Sequence, residues 1–350
     1  MTTLADKGNL VQRPPTMKEV AALANVSIKT VSRVINEEPG VSPELSERVL
    51  QAIRQLGYHH NTTASNLRRA DQRTATIGLL LDDVANPFSS ALHRAIEDVA
   101  NQHDTLVFTG SSDFEADREE RMALTLMSRR VDGLIVMPVS QSHIGLQQFK
   151  QLDRPIVFVD RPANLYDADS VLADNRVGAS VAVRHMAAYG HRRIAFLGDL
   201  HTLWTAAERH LGYIEGLALT GLQLDPALVR HDLHSINLAE QATIELFTAP
   251  NPPSALFAGQ NLITIGVIRA LQRLGLQQQV ALVGFDDFPL ADLLMPRVSV
   301  VAQDPALLGK TAAERLFARL DGERSPGERI VIPTQLLIRG SGEITPSAFT

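Results

Sequence analysis

Cysteine is absent from all 350 residues, so the chain can build neither a disulfide framework nor a thiolate metal site, a composition that suits a reducing compartment. No stretch approaches the roughly 18 apolar residues of a membrane span. The opening MTTLADKGNLVQRPP lacks the apolar core and cleavage pattern of a secretion signal. These absences predict a cytoplasmic protein with no membrane partner. Also missing are a GxSxG elbow, a GxxxxGK[ST] phosphate loop and an HExxH zinc pair. The histidines are scattered without ligand spacing, and adjacent carboxylates such as Asp82-Asp83 and Asp286-Asp287 point apart at a strand end, a poor acid/base couple. No enzyme activity, metal or cofactor is expected. An overall positive charge is lacking too, the formal net charge being −6. The charge is nevertheless split, because residues 1–73 hold ten Lys/Arg against seven Asp/Glu and the remainder 23 against 32. A basic head on an acidic body favours DNA contact at one end only.

What is present between Thr16 and Tyr58 reads as a three-helix DNA-binding head. Thr16 can cap a first helix while Glu19, three residues on, bonds back to the cap's own N–H. Val20, Ala21, Leu23 and Ala24 give that helix an apolar face. After the tight Ala24-Asn25-Val26 turn, Ser27 caps a second helix running through Asn36, with Val31, Val34 and Ile35 inward and Ile28, Lys29, Ser32, Arg33 and Asn36 outward. A helix following such a turn enters the major groove with its first residues at base edges. Arg33 suits guanine O6 and N7, Lys29 a base edge and Ile28 a thymine methyl. Thr30 and Ser32 suit phosphates, which position the head without reading sequence. A third helix opens at Ser42 with Pro43 in its first turn and stops at Gly57, and Leu45, Val49, Ala52, Ile53 and Leu56 close the core. The alternative is an ordinary helical hairpin. Residues 1–15 read as a disordered arm.

From Thr76 short β-branched runs such as TIGLLLDD, VDGLIVMP, RPIVFVDR, RRIAFLGD and VALVGFDD alternate with amphipathic stretches. This alternation predicts an α/β body of parallel sheets flanked by helices. Nearly every run ends in Asp, Asn or Gly, and ligands gather at the carboxyl ends of strands in such sheets.

The segments MKEVAALANVSIKTVSRVIN and VSPELSERVLQAIRQLGY, with the strand-end runs of the body, resemble the LacI/GalR (lactose-repressor) family of bacterial transcription regulators from about Thr16 to Gly340. The resemblance implies an N-terminal helix-turn-helix domain (16–59), a hinge segment (60–73) and a two-lobed, periplasmic-binding-protein-like body (74–340), with a tail at 341–350. One lobe would be 76–173 plus 303–330 and the other 174–302 plus 331–340, the chain crossing near Ala173, Gln303 and Ile330. In the hinge, the leucine that wedges into the minor groove corresponds to Leu67. His60 stands where a proline is common in the family and Ser65 where an arginine is common, so a plain linker is the alternative there.

Carried over residue by residue, the resemblance puts Asp160, Arg209 and Asp286 in contact with an effector, with Thr205 one turn before Arg209. Asn86 and Phe88 follow the first strand at the mouth of the cleft, beside Ser89. Gln260-Asn261 replaces a frequent Asn-Asp, so the ligand cannot be copied from a relative. Trp204, the only tryptophan, either stacks on a sugar face or packs in the core. Asp160 could instead be a turn residue paired with Arg161, and Arg209 a surface charge. The function implied is a homodimeric repressor of a near-palindromic double-stranded DNA operator, switched by a small polar, sugar-like molecule. An effector-independent binder with a vestigial cleft is the alternative.

Overall fold

The computed structural model describes residues 13, 15–35, 38–58, 73–139, 144–162 and 167–346, with only the backbone at 144, 145 and 150. The chain divides into two compact units, Met1–Thr74 and Ala75–Thr350.

In the first unit, α1 (Met17–Ala24) begins where Thr16 donates its N–H to the Glu19 carboxylate at 2.6 Å. Asn25, at φ 51°, ends it in the left-handed conformation that a short amide side chain tolerates. Helix α2 (Ile28–Ile35) starts with the Ser27 hydroxyl accepting from the Thr30 N–H, and α3 (Pro43–Leu56) with Ser42 accepting from the Leu45 N–H. Val20, Ala21, Ala24, Val31, Val49 and Ala52 form the buried centre, ringed by Met17, Val34, Ile35, Ile53, Leu56 and Tyr58. Leu23 departs from expectation at 45% exposed. At 100° per residue it lies roughly 110° from the middle of the Met17–Val20–Ala21–Ala24 face and so misses the core. The Arg48 guanidinium donates to the Ala24 carbonyl and locks α3 onto the turn between α1 and α2.

The second unit holds two six-stranded sheets. The first is built from β1 (Thr76–Leu81), β2 (Leu106–Ser111), β3 (Gly133–Val136), β4 (Ile156–Val159), β5 (Asp169–Ala173) and β11 (Arg329–Ile332), in the order β11-β5-β4-β3-β1-β2. The second is built from β6 (Ile194–Leu197), β7 (Val229–Arg230), β8 (Ala255–Ala258), β9 (Ala281–Phe285), β10 (Ser299–Ala302) and β12 (Gln335–Leu337), in the order β12-β10-β9-β8-β6-β7. All pairings are parallel except β10 with β12. Parallel strands need helical cover on both faces, which is why central strands such as LIV and ALVGF are buried without alternation. Helices α4 (Pro87–Gln102), α5 (Ala116–Ser128), α6 (Ile144–Gln151) and α11 (Pro305–Leu320) belong to the first sheet; α7 (Asn175–Ala188), α8 (Trp204–Leu219), α9 (Ile236–Thr248) and α10 (Asn261–Leu274) belong to the second. A core side chain such as Leu79 or Phe257, fully buried, contributes about 1.5–3 kcal/mol.

The chain crosses between lobes after β5, after β10 and after β11. The third crossing falls at Pro333–Thr334 and not near Ile330, because β11 stays in register with β5 as far as Ile332 opposite Ala173. Pro333 then ends the ladder, having no N–H to donate. Asp174 joins two crossings: its N–H donates to the Ile332 carbonyl and its carboxylate accepts from the Thr334 N–H at 2.7 Å. The expected tail also begins later than residue 341. Ser341 is buried with its hydroxyl donating to the Leu282 carbonyl, and Glu343 accepts from Ser299 and Gly340, so this short turn is part of the second lobe. Among the described residues no helix is long and apolar enough to cross a membrane.

Candidate DNA-reading helix and interlobe cleft

On α2 the expected reading face is open. Ile28 is 44% exposed, Lys29 is exposed, and Ser32 and Arg33 are half-buried. Arg33 is not free: its Nε lies 3.7 Å from a Glu38 carboxylate oxygen. The Thr30 hydroxyl shares a 2.9 Å hydrogen bond with Ser27, so it serves the helix start as well as any phosphate. Asn36 and Leu67 lie outside the described residues.

In the body, strand ends from both sheets converge. Asp160 follows β4 and Asp286 follows β9, each in the left-handed region (φ 68° and 66°) with its N–H donating to the next strand, to Val171 and Val301 respectively, at 2.9 Å. This bend turns both carboxylates off the strand line and into the gap between lobes, a conformation that costs Asp little because its side chain is short and polar. Asp82 after β1 and Asp199 after β6 repeat each other in the same way, each accepting from the N–H of the following residue at 2.7 Å. The two lobes therefore present matching sets of groups.

Arg209, on α8, is 5% exposed and fixed by three acceptors: Asn175 Oδ1 at 2.7 Å, the Gly259 carbonyl at 2.8 Å and Asp286 Oδ2 at 3.2 Å. Its guanidinium also lies 3.9 Å over the Phe285 ring. Gln303, at the second crossing, donates to the other Asp286 oxygen at 2.6 Å. Across the cleft, Arg161 donates to Asp82 and to the Pro138 carbonyl, with its Nε 3.3 Å from Asp160. Burial pushes the Asp160 carboxyl up to about 6 against the pull of Arg161 and Arg209, and burial likewise raises Asp199. The lobes touch through a reciprocal amide pair, Asn261 donating to Asn86 at 2.8 Å and Asn86 back to Asn261 at 3.4 Å. Space among these side chains is about 30 Å³, room for about two waters and not for a sugar ring. A ligand enters only if side chains or lobes move. A larger hollow of about 200 Å³ lies at the opposite, amino-terminal edge of the first sheet, but its charges satisfy one another, Arg319 with Asp169 and Arg324 with Asp153.

Residues 16–61 match the family described as bacterial regulatory proteins, lacI family, and residues 183–342 match a periplasmic binding protein-like domain. A ribose operon repressor of Halalkalibacterium halodurans is 31% identical over 326 residues, covering 93% of this chain and 96% of that protein. The chain belongs to the LacI family. This LacI-family protein is accordingly a DNA-binding transcriptional regulator and not an enzyme. Two solved structures extend the likeness. A lac repressor dimer bound to operator and an anti-inducer superposes with a TM-score of 0.84 at 26% identity, over 94% of this chain and 99% of that one. A CelR–cellobiose complex gives 0.70 at 30% identity, over 93% and 99%.

Eight of the residues singled out in the sequence line one cavity in this regulator: Asn86, Phe88, Ser89, Asp160, Thr205, Arg209, Gln260 and Asp286. Trp204 does not line it; the ring sits half-buried at the first turn of α8, one position before the inward-facing Thr205. Sequence reasoning missed Asp82, Met137, Arg161, Asp199 and Gln303 as lining residues. Asp82 and Asp199 carry the same signal as Asp160, a carboxylate at the end of an apolar run. Sequence proximity pairs Arg161 with Asp160 as a turn partner, whereas its bond to Asp82 spans 79 positions of sequence. A second groove of about 370 Å³, lined by Pro87, Phe88, Ala91, Phe288, Pro289 and Pro305, adjoins the cleft at Phe88, Asp286 and Gln303.

Proposed function

We propose that this regulator is a repressor that binds a near-palindromic DNA operator as a homodimer in the cytoplasm, and that a small polar effector, a sugar or sugar derivative, switches its affinity from the interlobe cleft. The observation that carries the effector reading is the state of polar atoms there. Gln260 Oε1, Gln303 Oε1 and Arg161 Nε are buried without a hydrogen-bond partner among the described residues, in a cavity lined from both lobes. Buried polar atoms left unpaired are costly, and a polyhydroxylated molecule supplies both donors and acceptors to match them. The relatives support the class, one being a ribose operon repressor and another solved with cellobiose.

Ile28, Lys29 and Arg33 read bases while Thr30 and Ser32 hold phosphates, with Asn36 and Leu67 as further contacts. The effector bridges Asp160 and Arg161 of one lobe to Arg209, Gln260 and Asp286 of the other. Lobe movement then changes how two heads present themselves to the operator. A coupling of about 1–3 kcal/mol suffices to change operator affinity about 5- to 150-fold. Fluorescence anisotropy with labelled DNA from upstream of the protein's own gene, titrated alone and with single sugars, tests this. A sugar that shifts affinity supports the switch; specific DNA binding that no sugar alters points to a vestigial cleft.

A further inference from the structure

The charges lining the cleft divide evenly between the lobes and do not cancel. The first lobe contributes Asp82, Asp160 and Arg161, the second Asp199, Asp286 and Arg209. Arg161 serves both Asp82 and Asp160, Arg209 serves Asp286, and Asp199 has no ion-pair partner among the described residues. Each lobe therefore faces the other with one carboxylate in excess. Hydrogen-bonding capacity has the same bias. The amide oxygens of Gln260 and Gln303 are buried acceptors without donors, and the Gln303 orientation is fixed because its NH2 is spent on Asp286. Gln260 is 8% exposed and Arg161 6%, both lining the cavity, so these atoms are shielded from bulk water. Among the fully buried atoms of the cleft, the one donor without a hydrogen bond is Arg161 Nε, which lies 3.3 Å from Asp160. The carboxylates do not converge as a metal site: no group of three His, Cys, Asp or Glu able to hold an ion occurs among the described residues.

We infer that the effector is a polyol carrying no negative charge, a neutral sugar or an amino sugar, and that phosphorylated and carboxylated sugars are excluded by the unbalanced carboxylates of the two lobes. This inference deepens the effector reading above and rests on it. A hydroxyl or ammonium group donates to Asp199, Asp160 and Gln260, which draws the lobes together. A phosphate or carboxylate brings acceptors only, leaves those oxygens unpaired and adds a third like charge in a desolvated gap.

Isothermal titration calorimetry on the full-length protein tests this with matched sets: ribose and ribose 5-phosphate; glucose, glucosamine and glucuronate; galactose, galactosamine and galacturonate. In any set that binds, the neutral or amino member should bind at least about tenfold more tightly than the anionic member. An anionic member that binds as tightly or more tightly overturns the charge inference while leaving an effector cleft standing. Absence of binding by every member overturns the effector reading itself, and this inference with it. Asp199→Asn keeps an oxygen to accept from Leu200 and removes the unpaired charge. It should narrow the gap between neutral and anionic members of a binding set by about threefold or more; an unchanged gap removes Asp199 from the selection.

Discussion

Replacing Arg209 by methionine, which preserves length but not charge, tests whether the Arg209–Asp286 pair organises the second lobe's half of the cleft. The change deletes three hydrogen bonds and leaves Asp286 buried with Gln303 as its one side-chain donor among the described residues. Breaking a buried ion pair by removing one partner costs about 3–5 kcal/mol. Asn175 loses its donor as well, which keeps the expectation in the upper half of that range. Asp286→Asn alone should cost less, because an amide retains an oxygen for Gln303. If the two side chains act as a unit, the double variant is less destabilised than the sum of the singles, with a coupling of about 1–3 kcal/mol. Urea unfolding read by Trp204 fluorescence suits the cycle, since the only tryptophan lies on the same helix as Arg209. Coupling below about 0.5 kcal/mol would mean additivity, and the two groups would then be independent despite their 3.2 Å contact.

Arg33→Ala should relax preference at one operator position by about 1–3 kcal/mol in a systematic base-substitution binding series; an unchanged profile removes its base-reading role. Glu38→Gln should tighten operator binding by up to about 1 kcal/mol, the ceiling for an exposed ion pair, by releasing Arg33. Asn261→Leu breaks the amide pair that joins the lobes in a form with no room for a sugar, and should tighten effector binding by up to about 1 kcal/mol in calorimetry; weaker binding would assign the pair to the ligand-bound form. Asp160 has a folded-state pKa raised from 3.8 to about 6, so the native state holds the extra proton and stability falls as pH rises through that window. Relative to Asp160→Asn, wild type should lose about 2 kcal/mol between pH 4 and pH 6 in urea titrations, of about 3 kcal/mol across the whole titration. A flat difference would show that the carboxyl is solvated.

The parts of this molecule legible in its sequence are those whose cause is local. The Thr16–Glu19 cap, the Ser42-Pro43 start and the Gly57 stop each act within a few residues, and the helices begin and end accordingly. Strand runs ending in Asp placed most of the cleft, because a strand end fixes where the next side chain emerges. What escaped depends on distance in the chain. The Arg161–Asp82 bond and the Asn86–Asn261 pair link segments 79 and 175 residues apart, and no spacing rule reports such partners. Leu23 looked like core by composition and was exposed by angle. Trp204 was drawn to the cleft by its chemistry, yet one position along a helix turns a side chain by 100°. The β11 boundary was missed because only pairing with β5, some 160 residues earlier, carries the strand on to Ile332.

That late strand has a consequence for how the regulator comes off the ribosome. The head is complete once Tyr58 has emerged, and among the described residues its core draws on none later. The first lobe cannot close its sheet until β11 arrives at Ile332, and the second waits for β12 and the turn at Ser341–Glu343. At about 5–20 residues per second, that interval is roughly 15–55 s. Throughout it, the nascent protein carries a folded DNA-reading head tethered to a body with two unfinished sheets. A message cut short between codons 58 and 332 therefore yields the reading part without the part that listens.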